Sequence, residues 1–101
     1  MAISDIQEKG SFYYLYDEKG KKISSISNSY GELMGFSSEF FVLQKGSFYY
    51  TFDEDSKKIN SISTSYGDFK NVSGNSFNLL KGSFIYTFDS NCKKISSRPA
   101  R

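Results

Sequence analysis

The chain has 101 residues, with 13 basic and 11 acidic side chains for a net charge of +2, no histidine, one cysteine, and 18% aromatic residues, all of them Phe or Tyr. So balanced a charge gives no long-range field for gathering nucleic acid or an anionic membrane, and the missing histidine excludes Ser-His, Cys-His and His-metal chemistry. The single Cys92 allows no intrachain disulfide, which leaves one domain over 1–101 to be held by its core. The opening "MAISDIQEKG" has neither a basic stretch nor an apolar run of signal length, and the apolar run "FFVL" at 40–43 is too short for a bilayer. The expectation is a cytoplasmic chain with no membrane span and no cofactor.

The first predicted element lies in "ISDIQEKG", which stands in the register of the later "FFVLQKG" and supplies residues 1–8 as a strand to the first unit. Then comes "KGSFYYLYDEKGKKI" (9–23), with near copies at 45–59 and 81–95. Aligning 9–44 with 45–80 gives a gapless period of 36 with 20 identical positions, and a third, truncated unit covers 81–101. A period in this range marks supersecondary units that bury their faces against one another.

Within each unit Phe48, Tyr50 and Phe52 share one parity, as do Phe12, Tyr14, Tyr16 and Phe84, Tyr86, Phe88, which predicts a strand. Asp17, Asp53 or Asp89 then opens a polar turn, in which Gly20 suits a positive φ. The second strand, "KKISSIS" or "KKINSIS", spaces Ile23 and Ile26, or Ile59 and Ile62, three apart; either a bulge intervenes or both faces meet apolar neighbours. "SYGELMGF" and "SYGDFKNV" add a Gly corner and a third strand, and "EFFVLQ" and "SFNLL" a fourth. The sum is an all-β chain of about eleven strands in antiparallel four-stranded repeats.

"FVLQKGSFYYTFDEDSKKINS" resembles a blade segment of quinoprotein-type and related β-propellers, in which an apolar strand, a Gly corner, an aromatic strand ending in Asp and a Lys-rich strand recur. The resemblance implies three blades, a half-propeller whose open edges a two-fold dimer would close into a six-bladed ring. The same stretch resembles the mannose-binding bulb lectins, which implies instead a monomeric β-prism of three sheets. Of their Gln-x-Asp-x-Asn-x-Val-x-Tyr sugar motif only Gln44 is present, with Gly46, Phe48, Tyr50 and Phe52 at the other positions. Apolar groups on both faces of the first and fourth strands favour the half-propeller, because stacked sheets require them.

Candidate binding residues follow from the repeats. The pairs Lys21 and Lys22, Lys57 and Lys58, and Lys93 and Lys94 recur with the period, and an interleaving of lysines with exposed Tyr13 and Tyr49 is the composition of a single-strand nucleic-acid binder. The turn acids offset most of that charge, so nucleic acid is the least favoured of the partners considered. Tyr30 and Tyr66 mark equivalent corners, where an aromatic face beside serines suits a protein or a sugar. The carboxylates of "DED" at 53–55 and the thiol of Cys92 sit in expected exposed turns, so they are read as turn residues and not as catalytic groups. The expected function is therefore non-catalytic: a self-associating β-repeat scaffold, dimeric, that recognises a protein, with a glycan-binding module and then a single-stranded nucleic-acid binder as alternatives.

Overall fold

The computed structural model describes residues 2–100; Met1 and Arg101, which begin and end the predicted repeat domain, lie outside the described residues. Eleven strands form three antiparallel sheets, none closed into a barrel. Sheet I holds β1 (Asp5–Lys9), β2 (Phe12–Tyr16) and β3 (Lys22–Ser27). Sheet II holds β4 (Glu32–Phe36), β5 (Phe40–Lys45), β6 (Phe48–Asp53) and β7 (Lys58–Ser63), and sheet III holds β8 (Asp68–Ser73), β9 (Ser76–Lys81), β10 (Phe84–Asp89) and β11 (Lys94–Pro99). Each sheet is a simple meander, and the chain crosses to the next through a 3-10 turn, Asn28–Tyr30 or Thr64–Tyr66. The sheets are thus out of phase with the sequence period: the third and fourth strands of one unit pair with the first and second of the next.

The core explains why β5 is apolar at four successive positions. Phe41, Leu43 and Phe52 pack toward sheet I with Ile6, Tyr13, Leu15 and Ile26, whereas Phe40, Val42, Tyr49 and Ile62 pack with Phe77, Leu79 and Phe88 of sheet III. Successive side chains of a strand point to opposite faces, so a middle sheet with two neighbours must be apolar on both. Phe40, Phe41 and Phe77 are fully buried, each stabilising the fold by about 2–3 kcal/mol relative to exposure.

The three-residue isoleucine spacing resolves as a bulge. Pairing slips between Leu15 and Tyr16, between Thr51 and Phe52 and between Thr87 and Phe88, opposite Ile23, Ile59 and Ile95. The extra residue brings Ile23 to the same cluster as Ile26, and Ile59 to that of Ile62. The Asp turns also form as expected: Asp17 Oδ1 accepts from the Lys19 and Lys21 amides at 2.9 Å each, Asp53 from Asp55 and Lys57, and Asp89 from Asn91 and Lys93. Gly20, Ser56 and Cys92 occupy the positive-φ position at 79°, 62° and 63°.

Side chains join the sheets across each junction. Tyr13 donates to the Gly31 carbonyl at 2.9 Å and accepts from the Leu33 amide at 3.2 Å, and Tyr49 donates to Gly67 at 2.9 Å. Ser24 reaches the Glu54 carbonyl, and Thr51 and Asn60 reach those of Ser90 and Asn91. At one side β4 and β8 close tightly, so that a Cβ on Gly35 would lie 3.1 Å from Val72 and 3.2 Å from Phe69. The β3 and β7 side of each junction stays open.

Candidate binding grooves

Each open junction forms a groove. The second, of about 690 Å³, runs between sheets II and III; the first is split into two adjoining hollows of about 330 and 480 Å³ that share Tyr30, Phe52 and Lys58. Position by position the two grooves are the same structure 36 residues apart. Their aromatic walls are Phe12, Tyr30, Tyr50 and Phe52 in the first and Phe48, Tyr66, Tyr86 and Phe88 in the second. Their hydroxyl walls are Ser25 and Ser27, then Ser61 and Ser63, and their cations Lys45 and Lys58, then Lys81 and Lys94. The one chemical difference is Cys92 for Ser56.

Local structure positions each group. Ser27 and Ser63 cap the 3-10 turns by accepting from the Ser29 and Ser65 amides. Gly31 and Gly67 end those turns where a Cβ would come within 2.8 Å of the Gln44 carbonyl oxygen and 2.9 Å of that of Leu80, at a φ of 145° in both. This explains the invariant Ser-Tyr-Gly of the two copies. The corner holds Tyr30 edge-on to Phe52 at 6.3 Å and Tyr66 edge-on to Phe88 at 6.1 Å, while each tyrosine remains about half exposed, 55% and 54%. Lys45 and Lys81 donate to the Ser29 and Ser65 carbonyls at 2.7 and 2.9 Å. Lys58 lies over the Tyr50 ring at 5.6 Å and Lys94 over Tyr86 at 5.4 Å, as Lys22 does over Tyr14 at 5.0 Å. Among the described residues no carboxylate lines either groove.

Of the residues singled out in the sequence, Tyr30, Tyr66, Lys58 and Lys94 meet in the grooves. Tyr13 and Tyr49 do not: they are 5% and 3% exposed, and burial pushes both phenols above their usual pKa. Lys22 stands on the outer face of sheet I, and Lys21, Lys57 and Lys93 are exposed turn residues outside the grooves. Cys92 is half-buried rather than exposed, and desolvation pushes its thiol up to about 11, with the Thr51 hydroxyl opposing the rise and the Asp89 charge adding to it. Phe12, Phe48, Tyr50, Tyr86, Lys45 and Lys81 were absent from the sequence-based candidates. The signal was present in the third copy, where Tyr13 and Tyr49 become Ile85 while Tyr14 and Tyr50 remain Tyr86.

No family model and no curated protein matches the chain. Among the described residues no three His, Cys, Asp or Glu side chains cluster as a metal site would require, and no helix is long and apolar enough to cross a membrane.

Proposed function

We propose that this chain is a non-catalytic binding module that holds a segment of a partner protein in its two grooves. The observation that carries the reading is the recurrence of ten groove positions, nine of them with the same chemistry, at two junctions. Core packing alone accounts for Phe41 or Phe77. It does not account for half-exposed Tyr30 and Tyr66, held against Phe52 and Phe88 by capped turns. Rigid tyrosines with flanking serines provide contact area at small entropic cost, as in other protein-recognition surfaces.

The serine hydroxyls are what a glycan reading has in its favour. Against it, no Asp, Asn or Gln among the described residues lines either groove to take sugar hydroxyls in pairs. The row of three sheets with its cores on opposite faces of sheet II supports propeller-like blades over a prism around one shared core. Closure of two such chains into a ring would bring the outer faces of sheets I and III into contact. Those faces carry Asp5 and Gln7 where sheet II has Phe41 and Leu43, and Ser76, Asn78 and Arg98 where it has Phe40, Val42 and Ile62. Tyr14, Tyr16 and Ile85 stay on those faces, but the polar and charged replacements beside them favour a module acting as a single chain.

A peptide display library and a glycan array, each probed with the wild type and with a Tyr30→Ser/Tyr66→Ser double variant, test the reading. Peptides retained by the wild type and lost by the variant are expected. Retention of glycans alone, or peptide binding unchanged in the variant, would remove it.

A further inference from the structure

We infer that the segment recognised is acidic and extended, and that it presents an aromatic residue with an adjacent carboxylate every third position, one such pair to each groove. This rests on the reading of the grooves as a peptide surface and adds to it the charge, conformation and spacing of the occupant.

Charge comes first. Among the described residues each groove is lined by two ammonium groups and no carboxylate, although the chain as a whole is nearly neutral. Lys58 and Lys94 are held over tyrosine rings, so a carboxylate meeting either ammonium lies beside an aromatic face. The complement is an anion next to a flat apolar group. Acidic and aromatic side chains side by side on a peptide supply both.

Spacing comes from the repeat. Equivalent points of stacked sheets are about 10 Å apart. A polyproline II segment rises about 3.1 Å per residue with three residues per turn, so it shows side chains i and i+3 on one side about 9 Å apart. A β-strand of the same length turns its i+3 side chain away. Aromatic-lined grooves dock polyproline II segments for this reason, and two linked units gain avidity because the second binds intramolecularly.

Three fluorescein-labelled hexapeptides test this by anisotropy on the full chain at low salt: Phe-Glu-Pro-Phe-Glu-Pro, its single-unit analogue Phe-Glu-Pro-Ser-Ser-Pro, and the neutral Phe-Gln-Pro-Phe-Gln-Pro. The two-unit acidic peptide is expected to bind at least tenfold more tightly than either of the others. That preference for acid should disappear in Lys58→Gln/Lys94→Gln, whose substitutions fall on exposed side chains and should leave the circular dichroism unchanged. Equal binding of the neutral peptide overturns the acidic assignment, and equal binding of the single unit overturns the paired one, while peptide recognition stands in both cases. Tighter binding of oligo-dT or of a heparin hexasaccharide overturns the inference in favour of a phosphate or sulfate backbone. Failure of all three peptides, together with an empty display library, removes the proposed function itself.

Discussion

Tyr13 and Tyr49 direct their hydroxyls into the backbone of the following sheet, where both donate to a glycine carbonyl and Tyr13 also accepts from the Leu33 amide. Removing one hydroxyl leaves buried polar groups unmet, which costs about 1–2 kcal/mol. Tyr13→Phe and Tyr49→Phe should each lower the unfolding free energy measured in urea by that amount, whereas Tyr14→Phe, one position along, should change it by less than about 0.5 kcal/mol. Parity within a strand was legible in the sequence. Which tyrosine of a Tyr-Tyr pair is buried was not, because both faces of these strands carry aromatic residues and only Ile85 distinguishes them. Cys92 is the turn residue expected, but its exposure was misread for a related reason: the turn is polar in sequence, and the fold lays it against sheet II. With its thiol pushed up to about 11, alkylation at pH 8 should run on the order of a hundredfold slower in the folded chain than in urea. The raised value also has a sign for stability. The folded chain holds that proton more firmly than the unfolded one, so the contribution is complete below the ordinary thiol pKa and is lost as pH rises toward 11.

The Asp turn was the element read most closely from sequence, because its physics is local: one carboxylate, two amides and a positive φ within five residues. The Lys21 amide holds the Asp17 carboxyl below its usual range; burial opposes this, and the Lys19 amide and the two lysine charges add to it. Asp17 is only 2% exposed, and its Oδ2 has no hydrogen-bond partner among the described residues. A carboxyl whose pKa is lowered by folding stabilises the fold above the ordinary carboxylate range, and that stabilisation disappears as pH falls through the lowered value. Asp17→Asn keeps an oxygen for the amides but cannot titrate. Its thermal midpoint should therefore fall less steeply than that of the wild type between pH 4 and pH 2, and parallel curves for the two proteins would show that the Asp17 charge is irrelevant. The second strand was less legible. Ile23 and Ile26 fit either a bulge or two apolar faces, and the choice depends on the partner strand's register, which becomes fixed only when the sheets stack.

At the scale of the whole molecule, eleven strands, three repeats and the grouping of each fourth strand with the next unit's first two were legible, whereas the sheet that takes the third strand was not. The period is the same wherever the unit is cut; which strands share a sheet depends on the crossings at Asn28–Tyr30 and Thr64–Tyr66. Each groove sets the last two strands of one sheet, with the 3-10 turn that leaves it, against the last three strands of the next, β5 to β7 or β9 to β11. The same geometry explains the changes in the terminal copies. On the outer faces of sheets I and III several positions that are apolar in sheet II become Asp5, Gln7, Ser76, Asn78 and Arg98, while Tyr14, Tyr16 and Ile85 remain. If these substitutions are what ends the stack, light scattering on a reduced sample should give a single chain of 11.5 kDa at every concentration tested. Restoring the junction residues on one face, by Ser76→Phe, Asn78→Val and Arg98→Ile, should then expose an apolar surface and raise the mass with concentration. Adding Asp5→Phe and Gln7→Leu makes the two outer faces complementary. That contact is heterologous, joining sheet III of one chain to sheet I of the next, so the expected product is a closed ring or a growing fibre. A wild-type mass near twice that of one chain would show instead that polar faces suffice for closure, and would place the grooves around the rim of a six-sheet ring.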